Sequence, residues 1–240
     1  AAVIIDAKSG VQTMTRRMME AAKDSGLARM VIVNRIDLDD LSLDQLMAQI
    51  HEAFGSECLP INLPKADGAG VADCFFNPDE SVDTAFSSVA DAHTHIVDQV
   101  VEMDEQLMEL YLEEGEQVLP EHLHDAFESA LREGHLIPVC FSSATSGAGV
   151  AELLRVIERM MPNPAEGNQR QFHVTSDDGA GPVVVVPNKD APLVAHVFKV
   201  SIDPFIGRMG LVRVHQGSLN KDTQLLVGDT RKAHRVGHVF

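Results

Sequence analysis

Residues 30–38 constrain this chain more than any other stretch, because four apolar residues (Met30-Val31-Ile32-Val33) end abruptly in Asn34-Arg35-Ile36-Asp37-Leu38. A strand buried on both faces reads this way, with polar side chains presented at its carboxyl end. In open α/β sheets, ligands sit in the crevice outside those ends. The side chains offered here match one heterocycle. A carboxylate can accept from two adjacent N–H donors, as on the N1 and N2 edge of guanine, and an amide can meet O6 and N7. A long cation can lay its stem or planar head over the ring. The stretch therefore points to a guanine site, although Asn-x-x-Asp also occurs as a turn or as the cap of the next helix.

The flanking pattern supports a parallel sheet. Residues 2–5 read as a buried strand closed by the turn Asp6-Ala7-Lys8-Ser9-Gly10. Gln12 to Ser25 reads as a helix with Met14, Met18, Ala21 and Ala22 on its apolar face and Gly26 as its stop. Ser42 with Gln45 forms a capping box for a second helix, striped by Leu43, Leu46, Met47, Ile50 and Phe54. Strand, helix, strand, helix with short connections predicts α/β architecture. The alternation then breaks. Residues 64–84 read as loop, with Asp67-Gly68-Ala69-Gly70 as a turn, and Phe86 to Tyr111 reads as an acidic helix. After a break at Gly115, a further helix starts at Pro120. We read about 61–135 as a helical insertion. A strand, Leu136 to Phe141, then leads through Ser142-Ser143-Ala144-Thr145-Ser146-Gly147 to a helix, Val150 to Met161, with Val150, Leu153, Leu154 and Ile157 on one face. Backbone N–H groups of that loop can point at a carbonyl such as guanine O6; any tight turn wants the same small residues.

Residues 162–171 read as a linker, so the expected domains are 1–161 and 172–240. In the second domain, strands Val183–Val186, Leu193–Ile202, Gly210–His215 and Thr223–Val227, with Gly217 and Asp229 in turns, predict an antiparallel barrel or sandwich that breaks off in mid-pattern.

Composition excludes several classes. Hydrophobic residues make up 45% of the chain, which rules out a disordered protein, and no apolar run nears the ~20 residues of a membrane helix. Three unevenly spaced cysteines, Cys58, Cys74 and Cys140, argue for free thiols in a reducing cytoplasm. The closest histidine pairs, His93/His95 and His122/His124, lie two apart and cannot share a helix face, against a metal site. The net charge of −17 is uneven: twelve acidic residues face one Arg between Asp98 and Glu133, whereas seven Lys or Arg face four Asp from Asp190 to Phe240. A nucleic-acid partner would have to meet the less acidic ends.

With both loops in view, the whole chain resembles translation elongation factor G and its paralogues. Asn34-Arg35-Ile36-Asp37 resembles the Asn-Lys-x-Asp guanine motif, and Ser143-Ala144 the Ser-Ala motif at O6. Val3–Asp6 with Gly10-Val11-Gln12 resembles the strand and turn after switch II, and Leu107-Met108-Glu109-Leu110-Tyr111-Leu112 the acidic helix of that family's insertion. Asp203-Pro204-Phe205-Ile206-Gly207, with Arg213-Val214 and Gly217, resembles the start of its β-barrel second domain. The resemblance implies a partial P-loop-type GTPase domain followed by a partial antiparallel β-barrel. It also implies guanine contacts through Asn34, Arg35, Asp37, Ser143, Ala144 and Thr145. GTP or GDP with Mg, and the ribosome, would be ligands of the parent protein, with no membrane or DNA partner. Arg35 in place of Lys and a short insertion favour an elongation factor G-like paralogue.

No Gly-x-x-x-x-Gly-Lys-Ser/Thr occurs, so no loop in this sequence cradles phosphates and no Ser or Thr of such a loop holds Mg. The expectation is an internal fragment that neither hydrolyses GTP nor carries a bound cofactor. The alternatives are a release-factor or ribosomal-protection GTPase within the class, or a non-catalytic protein- or RNA-binding module.

Overall fold

The computed structural model describes residues 1–103, 108–109, 120–163, 166–168, 172–176, 179–228 and 232–240. It divides into two compact units, Ala1–Asn168 and Gln169–Phe240.

The first unit is built on a four-stranded, wholly parallel sheet. Its strands are β1 (Ala2–Asp6), β2 (Met30–Asn34), β3 (Cys58–Pro60) and β6 (Ile137–Ser142), in the order β1-β2-β6-β3. Successive strand residues point to opposite faces, and helices pack on both. Val31 and Val33 of β2, with Val139 and Phe141 of β6, pack with Met19 of α1 (Thr13–Asp24) and Leu46, Met47 and Ile50 of α2 (Leu43–Phe54). Met30 and Cys140 face the opposite way. They join a cluster that holds Ile96 and Val100 of α3 (Val89–Val101), Phe127 and Leu131 of α4 (Pro120–Glu133) and Val156 of α5 (Val150–Arg159). The insertion helices thus supply much of one hydrophobic layer of the sheet.

Three expectations need correction. The buried face of α1 is Thr15, Met19 and Ala22, while Met14 and Met18 are half-exposed. On α5, Val156 is buried and Leu153 packs on the core, but Leu154 and Ile157 face outward. In both helices apolar residues occupy adjacent positions, which leaves two candidate stripes, and tertiary packing selects between them. Ser42 stands at the start of α2 without a side-chain capping bond, so the expected box does not form. Ser88 does cap α3, its Oγ accepting from Asp91 N–H at 3.0 Å.

The stretch read as loop contains a short antiparallel hairpin, β4 (Asn62–Pro64) and β5 (Val71–Asp73), turned through Asp67-Gly68-Ala69-Gly70. Of the acidic helix expected over Phe86 to Tyr111, Val89–Val101 forms α3 and residues 108–109 are helical; Leu107, Leu110, Tyr111, Leu112 and the break at Gly115 lie outside the described residues. Among the described residues, no helix is long and apolar enough to cross a membrane.

In the second unit the strands pair as antiparallel hairpins: β7 (Phe172–Ser176) with β8 (Gly179–Val183), β9 (Val194–Asp203) with β10 (Gly207–Gln216), and β11 (Gln224–Leu225) with β12 (His234–Arg235). The strand read as Val183–Val186 pairs earlier, over Gly179–Val183, and Asp229 lies outside the described residues. Among the described residues these hairpins do not join into a closed barrel.

Candidate functional site

Parallel pairing brings three strand ends to one edge. Asp6 of β1 stands opposite Asn34 of β2, and Asn34 opposite Ser142 of β6. Two further bonds join the loops that leave β2 and β6. Asn34 Oδ1 accepts from the Ala144 N–H at 3.0 Å, and Ile36 N–H donates to the Ser142 carbonyl at 3.3 Å. The two guanine-like motifs, more than a hundred residues apart in sequence, are therefore one hydrogen-bonded constellation.

Arg35 turns the chain at the end of β2. It adopts φ +69°, a left-handed conformation uncommon outside glycine, asparagine and aspartate. Its guanidinium Nη1 donates to Asp6 Oδ2 at 2.7 Å. The other carboxylate oxygen of Asp6 accepts the Lys8 and Ser9 N–H groups, each at 3.0 Å. The Ser9 N–H, then the Arg35 guanidinium, hold the Asp6 carboxyl below its ordinary value. The sequence marks Asp6 only as the start of a turn. Its signal is the one that marks Asn34, a polar residue closing an apolar strand.

Asp37 follows in the same exposed turn, and among the described residues no group bonds to its carboxylate. Both oxygens can therefore accept from a pair of N–H donors. In the β6 loop, Ser143 is fully buried and braces the turn. Its N–H donates to Ala148 O at 2.8 Å, its carbonyl accepts from Gly147 at 2.9 Å and its Oγ accepts from Ser146 N–H at 3.2 Å. Ala144 and Thr145 form the exposed crest. The Ala144 N–H, which the resemblance directs at guanine O6, donates to Asn34 Oδ1, whereas the Thr145 N–H has no partner among the described residues. Gly149 closes the loop at φ +72°, where a Cβ would lie 2.3 Å from the Phe141 carbonyl. Only glycine lets α5 start so close to β6.

The three cysteines are buried and free; burial pushes each thiol up to about 12. Among the described residues, no cluster of three or more His, Cys, Asp or Glu is placed to hold a metal ion.

Known proteins are similar to this chain in sequence and fold. The chain is 29% identical to elongation factor G of Fervidobacterium nodosum over 94% of its length, and 25% identical to elongation factor G of Chlamydia trachomatis serovar D over 100%. It spans 35% and 37% of those relatives, about a third of each. A crystal structure of a protein from Thermus thermophilus superimposes with a TM-score of 0.72 at 30% identity, over 98% of this chain and 34% of that one. These similarities bear out the resemblance to elongation factor G. Residues 1–163 match the Elongation factor Tu GTP binding domain, and the chain belongs to that family.

Proposed function

We propose that this chain is the guanine-recognition part of a ribosome-dependent translational GTPase of the elongation factor G type, together with the start of its second domain. One observation carries the base site: the Asn34 Oδ1 to Ala144 N–H bond, which fixes the two base-facing loops to each other beside the Asp37 carboxylate, unpartnered among the described residues. In this reading Asp37 accepts from guanine N1–H and N2–H. The Thr145 N–H, with Ala144 sharing, donates to O6. Arg35 has its head tied to Asp6, so its apolar stem is the part free to cover the ring. Ser143 shapes the loop from within.

The donor set fits a guanine base and does not fit its phosphates. The sequence has no phosphate loop, and with it lacks the loop Ser or Thr that would hold Mg beside the phosphates. Phosphoryl transfer depends on positioning and charge stabilisation by those groups. The phosphate-binding half would belong to the parent protein, and this chain alone would not hydrolyse GTP. An unfinished sheet supports that view. β1 is an edge strand, and Ile4 on it is 64% exposed. With Met14 and Met18 of α1 and Leu27, it lines an open groove of about 650 Å³. A bare apolar edge is a pairing surface that folded proteins normally cover.

The hairpins of the second unit fit the beginning of an antiparallel barrel, and the exposed Lys199, Arg208 and Arg213 suit ribosomal RNA phosphates. The test is phosphate release by the intact protein with GTP, with and without ribosomes. Stimulated release is expected. A non-catalytic binding module would show none.

A further inference from the structure

Two residues before the Ser143-Ala144 loop, one residue of β6 has run out of strand. β3 pairs with β6 as far as Pro60 opposite Val139, and Ile61 N–H makes the last ladder bond, to Val139 O at 3.0 Å. The next groups on that side are the N–H and C=O of Phe141, a fully buried residue. The side chain of Asn62 meets both. Phe141 N–H donates to Asn62 Oδ1 at 2.7 Å, and Asn62 Nδ2 donates to Phe141 O at 3.1 Å. Asn62 is itself buried, 1% exposed. A donor and an acceptor on one planar carbon are what the missing strand would have supplied. Without them, two buried backbone groups would be left unpaired.

The hairpin that carries Asn62 also grips the far side of the loop. Val71 of β5 lies 3.1 Å from where a Cβ on Gly149 would stand, and Asp73 Oδ2 accepts from Arg155 Nη1 of α5 at 3.1 Å. The inserted hairpin therefore holds the start, the end and the following helix of the loop that faces the base.

We propose that Asn62 is a positioning residue for the nucleotide base: through Phe141 and Ser142 it sets where the Ala144 and Thr145 N–H groups meet guanine O6. The inference rests on the guanine reading above. It is tested in the intact protein by measuring dissociation constants for GDP and for 6-thio-GDP, in which a larger, weaker-accepting sulfur replaces O6. In the wild type GDP binds more tightly. In Asn62→Leu that preference falls severalfold. If both nucleotides weaken equally and the preference stays, Asn62 is only a structural brace and the proposal is overturned. A wild type that does not distinguish the two refutes the guanine O6 reading instead, and this inference with it.

A second variant serves if Asn62→Leu does not fold. In Asn62→Asp, a neutral carboxyl can donate to Phe141 O and accept from Phe141 N–H, but a carboxylate cannot donate. Burial raises a carboxyl pKa, so the preference should approach the wild-type value at about pH 5.5 and fall at about pH 7.5. A wild-type preference that persists at a pH where carbon-13 nuclear magnetic resonance of the labelled aspartate shows the carboxyl ionised overturns the proposal.

Discussion

Replacing Gly149 with Ala should separate two costs that usually come together. The residue sits at φ +72°, so any L side chain carries the left-handed penalty, about 1–2 kcal/mol. Its new Cβ would also lie 2.3 Å from the Phe141 carbonyl and 3.2 Å from Ser142 Cα, both backbone atoms of a central strand. Neither can yield without moving β6, and overpacking of this kind costs about 1–3 kcal/mol. Together these give about 2–5 kcal/mol. Gly147, two residues earlier, supplies the control. It has φ +83° and nothing within 4 Å of its would-be Cβ, so Gly147→Ala should cost only the conformational part. Urea unfolding of both variants, followed by far-ultraviolet circular dichroism, gives the comparison. The difference between them, about 1–3 kcal/mol, is the contact of the loop with β6. If Gly149→Ala is no worse than Gly147→Ala, the loop does not press on the strand, and its tight placement is wrong.

Other perturbations test the surrounding framework. The Asp6 carboxyl, held below its ordinary 3.8 by the Ser9 N–H and then by Arg35, keeps its stabilising charge at any pH above that value. It loses that contribution as pH falls through its lower folded value. Nuclear magnetic resonance titration should find the midpoint below 3.8, and Arg35→Ala should raise it only part of the way, because the Ser9 bond remains. Ile50 is fully buried under the sheet, so Ile50→Ala should cost about 2–5 kcal/mol in the same unfolding assay. Ile4 is 64% exposed on the edge strand, so Ile4→Lys should change the stability of this chain by no more than about 0.5 kcal/mol. In the intact protein the same change should impair folding, because the proposed reading covers that edge with further sheet; equal tolerance in both would contradict it.

Much of this was legible in the sequence because parallel strands buried on both faces leave continuous apolar runs. Residues 2–5, 30–33 and 136–141 show such runs, and each ends in the polar residue that reaches the site. Helix rotation was less legible. Met18-Met19 and Leu153-Leu154 offer two stripes of similar hydrophobicity, and only the packing of α1 and α5 distinguishes them. The β4–β5 hairpin was missed because three-residue strands joined by a glycine turn show no period. The Val183–Val186 run has strong strand propensity, yet the register with Phe172–Ser176 ends at Val183. Asn62 gave no signal at all: one amide in an apolar stretch reveals its role only when the Phe141 peptide is seen to need it.

The central claim is that Asp37 reads the N1 and N2 edge of guanine. Its most direct measurement is the ratio of GTP to XTP turnover by the intact protein and by Asp37→Asn. Asparagine can donate where xanthine offers a carbonyl, so the variant should favour XTP while the wild type favours GTP. An unchanged ratio would contradict the assignment of Asp37 to the base.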